Sequence, residues 1–225
     1  MISVIFDLDG TLVDSEPNYY ESGRRTLERH GVPGFTWEEH SRYIGIGTLE
    51  TLEILRERYA IPAPVEQLLA EQNAAYLELA RTHTEAYPQM RTFVERLHAD
   101  GVPMAVASGS SLEAIDAVLA GTGLDALLTT VVSAEEVAQG KPAPDVFLEA
   151  ARRLGAEPAD CVVVEDAAPG ALAARAAGMD CVAIPYVAAT ADDPAFAEAG
   201  LLFPSGQREF SADTAYAWFT ERLAA

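Results

Sequence analysis

The sequence predicts an α/β fold: a parallel β-sheet core with helices on both faces, and a second, all-helical domain inserted after the first strand. Three observations carry that expectation. Short apolar runs rich in β-branched residues alternate along the chain with helical periods, the pattern of a parallel sheet buried on both faces. Residues 16–85 break the alternation, because every piece of that stretch has a helical period. Several strand-like runs end in acidic or hydroxyl residues, at the sheet edge where open parallel sheets bind ligands.

The expected strands are 2–6, 103–107, 127–132, 161–164, 181–184 and 201–203. Residues 111–119, 146–154 and 170–177 read as helices between them. Inside the insertion, 19–30, 37–43, 48–59 and 65–80 are helical, and turn residues at 31–34 and 61–64 separate them. The core domain is therefore expected over 1–15 and 86–225, and the helical domain over 16–85. Residues 189–199, rich in Ala and Asp, read as a surface connection.

Composition narrows the function classes. A chain of 225 residues that is 49% hydrophobic and 22% charged can bury a sizeable core. That excludes disorder, collagen-like repeats and a disulfide scaffold. No apolar run approaches the roughly 20 residues of a membrane span. The opening segment has no basic leader and carries Asp7 and Asp9, so a cytoplasmic protein without a membrane partner is expected. A net charge of −20 with no basic patch argues against a nucleic-acid partner. A chain acting as a monomer is the expectation. Cys161 and Cys181 each open a β-branched run and read as buried strand residues without a disulfide. His30, His40, His83 and His98 show no metal-ligand spacing, and no G-x-S-x-G elbow is present.

The candidate chemistry sits at strand ends. Asp7-Leu8-Asp9-Gly10-Thr11 closes the first strand, and D-x-D-G-T arises by chance at one position in ~10⁵. The two carboxylates share one side of the strand and repel unless a cation or a shared proton relieves them. An N-cap followed by a turn is the plainer alternative. Ser108-Gly109-Ser110 ends the second strand ahead of a helix whose N-terminal amides suit an anion. Lys141 is the sole lysine among 15 basic residues, and it follows the third strand between Gly140 and Pro142. A compact ammonium is not interchangeable with arginine in a tight site. Glu165-Asp166 ends the fourth strand as a second acidic pair, and Asp145 is expected to cap the helix after the third. Together these residues suit a Mg²⁺ site of hard oxygen ligands beside a phosphate site.

Residues 6–17 (FDLDGTLVDSEP), 106–110 (VASGS), 140–145 (GKPAPD) and 162–179 (VVVEDAAPGALAARAAGM) resemble, in order and spacing, the four motifs of the haloacid dehalogenase superfamily of phosphohydrolases. The likeness is strongest to the branch that holds β-phosphoglucomutase and the small sugar-phosphate and phosphoglycolate phosphatases. It implies a Rossmann-like core with an inserted helical cap. It also implies Asp7 as nucleophile, forming an aspartyl-phosphate, and Asp9 as the acid and base. Asp7, Asp9, Glu165 and Asp166 are implied as Mg²⁺ ligands, and Thr11, Ser108, Gly109 and Lys141 as phosphate-binding residues. Ala167 departs from the Ser that many relatives carry, and Pro88-Gln89 from their Pro-Gly.

The expected function is a Mg²⁺-dependent phosphatase acting on a small phosphorylated metabolite. Substrate choice is expected from Tyr19, Tyr20, Arg24, Gly45, Gly47 and Thr48 in the cap, although a helical reading also allows these to be ordinary packing or surface residues. A phosphomutase and a non-catalytic phosphate-binding protein are the alternatives. Against the mutase stand Tyr19 and Thr48, at positions where the resemblance implies a histidine and an arginine in the β-phosphoglucomutases. An uncharged side chain cannot replace a charge-assisted contact to a second phosphate. Asp9 argues against a dehalogenase, which needs no acid there.

Overall fold

Six short strands form one parallel sheet in the computed structural model, which describes residues 2–44 and 46–223. They are β1 (Ser3–Phe6), β2 (Met104–Ser108), β3 (Thr130–Ser133), β4 (Cys161–Glu165), β5 (Asp180–Ala183) and β6 (Leu201–Leu202), in the spatial order β3-β2-β1-β4-β5-β6. Burial on both faces explains why β1, β2 and β4 read as continuous apolar runs rather than alternating ones. The chain builds outward from β1 through β2 to β3, then returns to start β4 on the other side of β1. The strand order therefore reverses between β1 and β4, where open α/β sheets form their ligand crevice.

Helices α1 (Glu16–Arg29), α2 (Trp37–His40), α3 (Thr48–Arg58) and α4 (Val65–His83) come between β1 and β2. They form a separate unit, Ser15–Thr84, around a core of Leu27, Phe35, Leu52, Leu55, Ile61 and Leu68. The other unit, Met1–Asp14 with Glu85–Ala225, holds the sheet. Within it, α5 (Pro88–Ala99) precedes β2 and α6 (Leu112–Thr122) follows it. α7 (Asp145–Leu154) and α8 (Ala168–Ala176) flank β4, and α9 (Ala212–Leu223) closes the described chain. Val146, Phe147 and Ala150 of α7 and Ala173 of α8 pack on Ile5, Val163 and Val132. Phe93, Phe203 and Phe210 form edge-to-face pairs, and Phe6 meets Phe93 the same way.

Two local expectations are corrected. α7 begins at Asp145 itself, with Pro144 at the cap position and no side-chain cap. Residues 189–199 are more than a surface connection: Asp193 caps a short 3₁₀ turn there, which buries Ala195 and Phe196 in the core. Two helices escaped the reading. α5 buries Met90, Phe93, Val94 and Leu97, an i, i+3, i+4, i+7 stripe that was legible. α9 is mostly Ala, Asp and Thr at its start, and Gln89 accepts the Ala212 N–H there at 3.1 Å. Among the described residues no helix is long and apolar enough to cross a membrane.

Both cysteines are free and buried in β4 and β5. Burial pushes the Cys161 thiol up to about 11 and raises that of Cys181 well above its usual range, where the charge of Glu165 adds to it. The thiolate is the reactive form. Neither thiol should react with Ellman's reagent at pH 8 in the native protein, and both should react in guanidinium. Rapid stoichiometric labelling of the folded protein would contradict this packing.

Candidate active site

β1 and β4 run in register, with Phe6 opposite Val164, so the next residues along each strand, Asp7 and Glu165, bring two acids to one sheet edge. The Asp7 N–H still donates to the Val164 carbonyl at 2.9 Å, which extends the ladder one step past β1. Beyond it the chain turns tightly. Gly10 has φ +83°, and a Cβ there would lie 2.4 Å from Asp166 Oδ2, so both the turn and the close approach require glycine.

Lys141 lies between the two strand ends. Its Nζ donates to Asp7 Oδ1 at 2.5 Å and to Glu165 Oε1 at 2.8 Å, and it stands 4.8 Å from the centre of the Phe147 ring. The other Glu165 oxygen accepts the N–H groups of Asp166 and Ala167, both at 2.8 Å. Glu165 is 2% exposed and its carboxylate is fully engaged. Asp166 Oδ1 accepts the Thr11 hydroxyl at 3.1 Å.

One ammonium does not balance this cluster. Burial pushes the Asp7 carboxyl well above the usual range, and the charges of Glu165 and Asp9 add to the shift while Lys141 opposes it. Asp166 is raised likewise, by burial first and then by Glu165 and Asp7. Burial disfavours the charge on Lys141, but Asp7 and Glu165 outweigh it and hold the ammonium above its usual range. Among the described residues no three carboxylate, imidazole or thiol groups converge as a ready-made cation cage. Glu165 is turned onto Lys141 and two amides.

Asp9 faces the end of β2. Ser110 Oγ donates to Asp9 Oδ2 at 2.7 Å, and Ser108 Oγ lies 3.5 Å from the same oxygen. The Ser110 N–H donates to Ser108 Oγ at 3.0 Å, and buried Ser133 donates to the Ser110 carbonyl at 2.7 Å. Gly109 is exposed between the two serines. The core candidates Asp7, Asp9, Thr11, Ser108, Lys141, Glu165 and Asp166 are thus linked at one sheet edge. Sequence reasoning missed Ser110 as a partner of Asp9, although it stood two residues after Ser108. It also missed Gln207, whose amide donates to the carbonyls of Gly10 and Thr11, and no local pattern marks that residue.

The specificity candidates belong to the helical unit. Tyr19 stacks on Tyr76 with ring centres 4.3 Å apart. Tyr20 donates to the Phe35 carbonyl and packs among Phe35, Trp37 and His40. Arg24 forks onto Glu21 at 2.8 and 2.9 Å, and bonding to Arg24 lowers the Glu21 carboxyl to about 2. Gly47 caps α3 at its start, Thr48 is its first residue, and Gly45 lies outside the described residues.

A family model described as haloacid dehalogenase-like hydrolase matches residues 3–178. The chain is 38% identical over 191 residues to fructose-1-phosphate phosphatase YqaB of Escherichia coli, covering 80% of this chain and 94% of that one. It is 33% identical over 185 residues to the bifunctional riboflavin kinase/FMN phosphatase of Arabidopsis thaliana. That match covers 81% of this chain but spans only about half, 48%, of the relative's length. A crystal structure of a HAD family hydrolase from Deinococcus radiodurans, with bound phosphate and sodium, superposes with a TM-score of 0.74. It shares 26% identity and covers 96% of each chain.

Gly170, in the first turn of α8, leaves the room that Glu165 occupies: a Cβ there would lie 1.7 Å from Glu165 Oε1. Gly170→Ala must therefore displace the carboxylate that anchors Lys141. A loss of roughly 1–3 kcal/mol is expected from overpacking at a filled site, read as a lower denaturation midpoint with an unchanged m-value. Unchanged stability would show that Glu165 is free to move aside.

Proposed function

The chain belongs to the haloacid dehalogenase-like hydrolase family, and we propose that it is a Mg²⁺-dependent phosphatase of a small sugar, polyol or glycolate phosphate, working through an aspartyl-phosphate on Asp7. The observation that carries this reading is the single buried lysine bonded to Asp7, with Asp9 two residues on held by Ser110, at the point where the strand order reverses. Phosphoryl transfer asks a protein mainly for positioning and charge neutralisation.

In the first half-reaction an Asp7 oxygen bonds to phosphorus as the ester P–O bond breaks, and Asp9 gives its proton to the leaving oxygen. In the second, Asp9 takes a proton from water, the water oxygen bonds to phosphorus, and the Asp7–phosphorus bond breaks to release phosphate. Lys141 and Ser108 face the phosphoryl oxygens, with the exposed Gly109 backbone as a further donor, while the fully buried Thr11 acts through its hydroxyl on Asp166. The Ser110 bond keeps Asp9 on one side of the site for both proton transfers.

The fit to Mg²⁺ rests on the donor set. Asp7 and Asp166 are oxygen donors, and burial and mutual repulsion push both toward protonation. A cation beside Asp7 would restore the ionised form that a nucleophile needs. Asp7 and Asp166 would hold it through their carboxylates and Asp9 through its backbone carbonyl, which leaves the Asp9 side chain to Ser110 and to proton transfer, while Glu165 serves by fixing Lys141. When bound, Mg²⁺ would supply the positive charge that the phosphoryl group and the carboxylates lack.

The test is phosphate release from a panel of phosphorylated sugars, polyols and glycolate with Mg²⁺. Free phosphate is the expected product, abolished by chelator, with no need for a bisphosphate activator. Asp9→Asn should lower kcat by roughly 10²–10⁴-fold, and Asp7→Asn should remove turnover. Near wild-type activity in either variant would sink the mechanism. Mg²⁺ at a hundredfold excess over Kd should stabilise the fold by about 2.7 kcal/mol, seen as a higher Tm at low salt. An unchanged Tm without binding heat would overturn the metal assignment.

A further inference from the structure

The loop after β1 is clasped from the far end of the chain. Gln207 Nε2 donates to the carbonyl of Thr11 at 2.9 Å and to that of Gly10 at 3.3 Å. Both of these residues are buried, and Thr11 has no exposed surface. In a trans peptide the C=O and the following N–H point in opposite directions. Fixing the Gly10 carbonyl on the Gln207 side therefore turns the Thr11 N–H to the other side. Fixing the Thr11 carbonyl holds the residue whose hydroxyl reaches Asp166 Oδ1 at 3.1 Å.

Gln207 is itself held rigidly. It follows Gly206, which has φ +64° and whose added Cβ would meet the Pro185 carbonyl at 2.4 Å, so only glycine lets this turn seat against the end of β5. The Gly206 N–H donates to the Phe203 carbonyl at 2.8 Å, and the Phe210 N–H donates to the Gly206 carbonyl at 3.0 Å. Buried Phe203 and Phe210 lock the two ends of the turn together with ring centres 5.1 Å apart. Next to Pro185, the Tyr186 hydroxyl donates to Asp14 Oδ1 at 3.2 Å, so the segment after β5 also grips the end of this loop.

We propose that Gln207 is a positioning residue: its amide clamps the Gly10–Thr11 peptides so that the Thr11 hydroxyl is aligned on Asp166 and the turn that follows Asp7 and Asp9 is fixed. The proposal rests on the phosphatase reading for its kinetic consequence, but not for its structural one. Gln207 touches no reacting atom, so its loss should misalign the transition state more than it weakens substrate binding.

Gln207→Met keeps the length of the side chain and removes the donor. Gln207→Glu sets a carboxylate oxygen against two carbonyls. Both are compared with wild type on the best substrate of the phosphatase panel, with Tm and the ¹⁵N–¹H signals of Gly10 and Thr11 followed in parallel. The expected result is a kcat at least about tenfold lower for Met, or roughly 1.4 kcal/mol, and lower still for Glu. KM should stay within about twofold, and the Thr11 amide signal should shift or broaden. A kcat within twofold of wild type, or a kcat loss matched by a fall in Tm and recovered at lower temperature, would overturn the proposal. Wild-type protein that releases no phosphate from any substrate would overturn the phosphatase reading instead. In that event an unmoved Thr11 signal in Gln207→Met overturns the clamp as well, and a moved one supports it.

Discussion

The ammonium of Lys141, buried between Asp7 and Glu165, is the contact on which the arrangement of this site depends. A parallel sheet whose order reverses between β1 and β4 must end those two strands side by side. Here each strand ends in acid, so the same register that builds the sheet concentrates negative charge at one edge. Lys141 comes from the loop after β3, and its ammonium stands 4.8 Å from the centre of the Phe147 ring at the start of α7. Removing one partner of such a buried pair leaves an uncompensated charge, which costs far more than an exposed ion pair gains.

Other features are arranged around that contact. Gly10 and Gly170 give up a side chain so that Asp166 and Glu165 can approach the backbone. Glu165 is spent on Lys141 and two amides, which leaves Asp7 and Asp166 as the carboxylates with unmet charge. Asp9 is drawn the other way, onto Ser110, whose carbonyl is fixed in turn by buried Ser133 at the end of β3. Every strand end from β1 to β4 thus contributes a side chain to the hydrogen bonds at one sheet edge. The loops after β5 and β6 reach the same turn through Tyr186 and Gln207.

The parts legible in the sequence were those whose chemistry is local. Asp7, Asp9 and Thr11 lie within five residues, and a continuous apolar run in front of them marks a buried strand. The lone lysine stood out because the chain otherwise uses arginine for its cations. Gln207 was illegible because a glutamine in a polar turn carries no pattern, and its partners lie at the opposite end of the chain. The engagement of Glu165 was hidden for a related reason: an acidic pair reads the same whether it faces a cation, a lysine or its own helix amides. α5 was missed although its apolar stripe was plain, and α9 because an Ala-rich start gives little contrast between faces. In the helical unit, Tyr20 and Arg24 could be read as facing a substrate or as internal partners, and the structure pairs them with Phe35 and Glu21.

In the proposed reaction Asp7, held by Lys141, is the nucleophile whose carboxylate oxygen takes the phosphoryl group. Beryllium trifluoride mimics a phosphoryl group on a carboxylate, so ¹⁹F NMR of the protein with Mg²⁺ and beryllium fluoride reads that role directly. Bound resonances should appear for the wild type and be absent for Asp7→Asn. Their absence from the wild type, or their survival in Asp7→Asn, would contradict it.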